Sequence, residues 1–170
     1  MTEDTTDYAD QIISFIQDIG LTVRFESVPE DTFLPGILIK DGIILVDRKQ
    51  LKYPGDLLHE AGHLAVIPAS RRHETGAYVG HNPSEEMAAI AWSWAALKHL
   101  NLAPEIVFHP DGYKGGSQSI IDNFSQQQYF GTPILSWLGM TQCAFASAEN
   151  DRMEVVFPQM SKWLADEMPE

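Results

Sequence analysis

The segment His59-Glu60-Ala61-Gly62-His63 carries the densest chemistry in this 170-residue sequence. On a helix, positions i and i+4 project from one face a turn apart. Two imidazoles at that spacing can reach one metal ion at zinc–nitrogen distances of about 2.0–2.1 Å. Glu60 lies one residue further, about 100° around the helix, too far round to be a natural third ligand on that face. It can still reach a water beside the metal. Two ligands and one general base make the arrangement of a zinc hydrolase. The bland alternative is a helix that happens to carry polar residues on its wet face.

A catalytic zinc site needs a third protein ligand and one open position. The stretch Asn82-Pro83-Ser84-Glu85-Glu86 offers two carboxylates at a helix start. Asn82 is a favoured N-cap and Pro83 a favoured first residue. Glu85 then falls at the third helical position, where it can reach back to the cap N–H. Glu86 shares a face with Ala89, Ile90, Ser93 and Leu97, which predicts an inward-facing acid. A buried carboxylate needs a partner, and a cation would supply one. Glu86 is therefore the first candidate, with Glu85 or another group as alternatives, unless both acids simply favour the positive end of the helix.

Around this nucleus lie weaker candidates. Asp56 could orient His59, although acids in a first turn also serve the helix dipole. Tyr78, His81, His109 and Tyr113 are candidate donors to an oxyanion. Arg71-Arg72-His73 is a basic cluster that reads first as a solvated loop and second as an anchor for a substrate carboxylate. Residues 112–117, Gly-Tyr-Lys-Gly-Gly-Ser, lack phosphate-loop spacing and read as a loop or lid. The single cysteine, Cys143, reads as a buried small hydrophobe. Trp92, Trp94, Trp137 and Trp163 read as core.

The elements that must position these groups follow from periodicity. Tyr8, Ile12, Phe15, Ile16 and Ile19 predict a first helix ended by Gly20. Residues 21–25 alternate as a short strand. Residues 37–39 and 43–46, parted by Lys40-Asp41-Gly42, predict a hairpin. A helix opening near Pro54 and running towards Pro68 carries the histidines, and one over 83–100 is apolar almost all round and should be buried. Residues 120–130, 134–140 and 158–168 are expected as further helices. The fold class is α+β: an N-terminal helix, a small antiparallel sheet, the histidine helix packed on a second ligand helix, then more helices. One domain is expected over residues 1–170.

A hairpin, a helix bearing HEAGH, and a helix opening Glu86-Met87-Ala88-Ala89-Ile90-Ala91-Trp92 together resemble the ImmA/IrrE type of gluzincin-like metallopeptidase. That family's second motif is a Glu, an Ala three positions on and an aromatic six positions on. Glu86, Ala89 and Trp92 match this register, whereas Glu85 does not. The resemblance covers roughly residues 8–100 and leaves 101–170 as a helical or loop extension. It implies a zincin-like fold, one zinc ion per chain held by His59, His63 and Glu86, and Glu60 as catalytic base. It also implies a protein or peptide substrate, since several members act on transcriptional repressors.

Composition narrows the classes further. Eleven basic against 24 acidic residues give a net charge of −13, which disfavours direct binding to nucleic acid or an anionic membrane. No apolar run approaches the roughly 18 residues that span a bilayer. The polar, acidic start lacks the pattern of a secretory signal, and a cytoplasmic protein is expected. The function expected from the sequence is a zinc-dependent metallopeptidase. The alternative is a metal-stabilised regulatory or protein-binding module without catalysis.

Overall fold

The computed structural model describes residues 2–76, 82–142 and 155–167. Tyr78, His81 and Cys143 lie outside the described residues. The chain folds as α+β, with seven helices and one three-stranded sheet among the described residues.

Helix α1 (Thr2–Asp18) buries Ala9, Ile12, Ile13, Phe15 and Ile16 along one stripe. It stops at Gly20, whose φ of 110° suits a residue without a β-carbon. Gly20 N–H donates to Gln17 O and Leu21 N–H to Ile16 O, the paired bonds that close a helix C-terminus. The strands are β1 (Val23–Phe25), β2 (Ile37–Lys40) and β3 (Ile43–Val46), in the order β1-β3-β2. β2 and β3 form the expected hairpin, with Asp41 and Gly42 both at positive φ in its turn. β1 pairs with β3 in parallel, so the sheet is mixed rather than antiparallel. The chain between β1 and β2 is long enough to re-enter on the far side of β3. Alternation alone shows that 21–25 is a strand but says nothing of its direction.

Helix α2 (Asp56–Ala65) carries the histidines and is buried along its length except at Glu60. A short helix α3 (Ala69–Arg72) follows. Arg72 turns back to donate to the carbonyls of Leu64, Ile67 and Ala165. It therefore closes the C-terminal end of α2, and the expectation of a merely solvated basic loop is wrong for this residue. Helix α4 (Pro83–His99) is buried on every side from Ala88 to Leu97, as its apolar composition predicts. Phe15 and Trp163 pack against Trp92 on one side; Phe108 and Phe124 pack against Trp94 on the other.

Helices α5 (Pro104–Val107), α6 (Ser117–Ser125) and α7 (Thr132–Trp137) close the domain, the last two shorter than or shifted from the expected 120–130 and 134–140. Trp137 is half exposed and does not join the core as expected. The expected helix over 158–168 is absent from its described residues. Their backbone groups bond to other segments instead: Ser161 N–H to Met140 O, Ala165 N–H to Ala65 O, and Asp166 O from Ala69 N–H. Cross-chain bonds satisfy this strap where helical bonds would otherwise be needed. No helix among the described residues is long and apolar enough to cross a membrane.

Candidate metal centre

Helix α2 meets α4 at its glycine. A β-carbon on Gly62 would lie 3.0 Å from Ala89 O and 3.2 Å from the Trp92 ring. This close approach brings the first turn of α4 over the histidine face of α2. Asn82 caps α4 by accepting from Ser84 N–H, which leaves the next two residues free to turn towards α2.

There His59 Nε2 and His63 Nε2 face each other at 3.2 Å. The Glu86 carboxylate bridges them, Oε2 at 2.8 Å from His63 and Oε1 at 3.5 Å from His59. His59, Glu60 and His63 also present ligand atoms within 4.8 Å of one another, so this buried cluster could hold a metal ion. The spacing passes a simple test of fit. Two donors bound tetrahedrally at about 2.0–2.1 Å lie about 3.3 Å apart, and the three separations between the imidazoles and Glu86 bracket that value.

Each imidazole is also held at its other nitrogen. Glu85 Oε1 lies 3.1 Å from His63 Nδ1. Tyr113 Oη lies 3.0 Å from His59 Nδ1, its ring edge-on to the imidazole. The expectation that Glu85 serves the helix cap is therefore corrected: His63 takes the carboxylate. The expectation that Asp56 orients His59 is corrected as well. Asp56 Oδ1 pairs with His109 Nε2 at 2.8 Å, and both residues are buried. Tyr53 stacks on the His109 ring and bonds through its hydroxyl to Asp111. His109 and Tyr113, two candidate oxyanion donors, thus pair with Asp56 and His59 respectively.

The electrostatics follow from burial and these pairings. Burial, helped by the nearby His63, lowers the His59 pKa to about 4 against the pull of Glu86. Burial also opposes a charge on His63, but hydrogen bonds to Glu85 and Glu86 win and raise its pKa to about 9. Burial pushes Glu86 up, yet the two imidazoles and Lys114 hold it below the usual carboxylate range. Glu60 rises to about 7, mainly by burial, with His63 opposing and the charges of Asp56 and Glu86 adding to it. The Tyr113 phenol is kept protonated by burial and by the surrounding acids. The site thus offers a neutral imidazole, an ionised carboxylate, and a second imidazole whose proton competes with any cation.

Three partners escaped sequence reasoning: Tyr113 for His59, Glu85 for His63, and His109 for Asp56. The first and last join residues 54 and 53 positions apart, and no local pattern signals such pairs. Glu85 could have been found by weighing both acids at the start of α4 as facing the same histidine. Compared with known proteins, the chain matches no family model, no curated protein and no solved structure.

Proposed function

We propose that this chain is a zinc-dependent metallopeptidase of zincin-like architecture, in line with its resemblance to the ImmA/IrrE type. The observation that carries the reading is the convergence of His59 Nε2, His63 Nε2 and the Glu86 carboxylate on one point. His59, His63 and Glu86 would hold the ion, and Glu60 is left beside them without a hydrogen bond from its carboxylate among the described residues. Zinc bound there would supply Lewis acidity, polarising a peptide carbonyl and making water nucleophilic near neutral pH.

The chain's own residues do the rest. Glu60 lies where it could accept a proton from a water beside the ion and pass it to the leaving amine. Glu85 fixes the His63 ring at Nδ1, so Nε2 points at the cation rather than into the core. The paired carboxylates on α4 and the narrow gap at Gly62 keep the ligand set rigid. The substrate class is a protein or peptide.

The test is metal analysis together with Glu60→Gln. Wild type is expected to hold one zinc per chain and to cleave a peptide library. Glu60→Gln is expected to keep the zinc and lose at least about 100-fold in cleavage rate. Stoichiometric zinc with no cleavage by wild type, against peptides or a lysate-derived substrate pool, would replace the peptidase with a metal-stabilised binding module.

A further inference from the structure

The loop that delivers Tyr113 is built at a cost. Residues 113, 114 and 115 all have positive φ, at 56°, 54° and 83°. Gly115 takes this conformation freely, but for Tyr113 and Lys114 the β-carbon crowds the backbone and the conformation is strained. Turn tips that need such angles are normally filled by Gly, Asn or Asp. Glycines stand at 112, 115 and 116, yet one of the left-handed positions holds a tyrosine. Strain of this kind persists only where surrounding structure over-determines it, and it clusters at functional sites.

The surroundings do over-determine it. Ser117 Oγ donates to His109 O at 2.6 Å and anchors the base of the loop. Gly112 packs so tightly on the His109 ring that an added β-carbon would lie 3.1 Å from Cε1. The Tyr113 ring lies on Phe108, with centroids 5.1 Å apart. Its hydroxyl ends on His59 Nδ1, with no other hydrogen bond of that hydroxyl among the described residues. Nδ1 and Nε2 project from different sides of an imidazole. A hydroxyl bound to Nδ1 therefore sets the direction of Nε2 without entering the space between the ligands.

We infer that Tyr113 is the positioning residue for His59, and that the strained turn at 112–116 exists to hold its hydroxyl on Nδ1. The inference rests on the proposed metal reading. A phenol differs here from the carboxylate that serves His63. It can accept from Nδ1–H, leaving Nε2 free for a cation, or donate to Nδ1 when Nε2 carries the proton. It orients the ring in both tautomers and adds no fourth acid to a site already crowded with Glu60, Glu85 and Glu86.

The experiment compares wild type with Tyr113→Phe, which keeps the ring and its contacts with Phe108 and His59 and removes one oxygen. Zn²⁺ affinity is read by competition with a chromogenic chelator. The nitrogen shifts of His59 are read by two-dimensional NMR on the metal-free protein, with His59→Ala for assignment. Tyr113→Phe is expected to bind one zinc at saturation with affinity lowered about 10–100-fold. In the metal-free variant the His59 nitrogens are expected to shift, as Nδ1 loses its hydrogen-bond partner. Zinc affinity within twofold of wild type would overturn the inference. If wild type itself binds no zinc, the metal reading fails separately. The NMR arm then decides alone: unchanged His59 shifts in Tyr113→Phe overturn the positioning role, and altered shifts support it.

Discussion

Gly62→Ala separates two effects that usually travel together. On an isolated helix the change should stabilise by about 1 kcal/mol, because glycine is the weaker helix former. In this fold the new methyl group would sit 3.0 Å from Ala89 O, 3.2 Å from Trp92 Cε3 and 3.4 Å from Ala89 Cα. Ordinary van der Waals contact requires α4 to recede by a few tenths of an ångström. Overpacking of this kind costs about 1–3 kcal/mol, so the net expectation is a loss of up to about 2 kcal/mol. The displacement has a second consequence. Glu86 lies three residues before Ala89 on the same helix face, so it moves with Ala89. Its 2.8 Å contact with His63 Nε2 would lengthen beyond the tolerance of about 0.2 Å that a metal site allows. Zinc affinity should therefore fall about tenfold. Urea unfolding of the metal-free protein reads the first effect, and chelator competition reads the second. A stability gain of about 1 kcal/mol with unchanged zinc affinity would refute the reasoning, because it would show that α4 is not held against α2 at this glycine.

Four further outcomes are expected. His63, with its pKa raised to about 9 from an unfolded value near 6.5, makes the metal-free protein lose stability as pH rises from 6.5 to 9. Below that window Glu60, raised to about 7, and His59, lowered to about 4, act in opposite directions and largely offset. Zinc binding at pH 7.5 should then release about one proton, measured by calorimetry in two buffers of different ionisation enthalpy; no release would mean that His63 is already neutral. His109→Ala strips a buried carboxylate, Asp56, of its partner and should cost about 3–5 kcal/mol in urea unfolding. A loss below 1 kcal/mol would show that water reaches the pair. Lys114→Gly removes a left-handed residue and should raise stability by up to about 1 kcal/mol, read as a higher melting temperature, whereas a lower one contradicts strain at that position.

Local pattern made α2 and α4 legible, because they are set by short-range physics. The i,i+4 spacing of His59 and His63 put both imidazoles on one face. Asn82-Pro83 marked the start of α4, and the apolar run from Ala88 to Leu97 marked its burial. Asp41-Gly42 marked the hairpin turn. The parallel direction of β1, the strap at 155–167 and the partners of both imidazoles depend on contacts distant in sequence. Residues 158–168 have a helix-like composition, but their backbone bonds lie with Met140, Ala65 and Ala69. Tyr113 gave one local hint, a bulky residue within a glycine-rich turn. The identity of its partner is a property of the assembled fold.

Three carboxylates stand near the imidazole pair, and in the proposed site they have different work: Glu86 would hold the cation, Glu85 would orient His63, and Glu60 would stay off the ion. Native mass spectrometry of zinc-loaded protein tests that division directly. Wild type and Glu60→Gln should each retain one zinc ion, and Glu86→Ala should lose it under the same conditions. Zinc kept by Glu86→Ala and lost by Glu60→Gln, or absent from all three, would contradict the account.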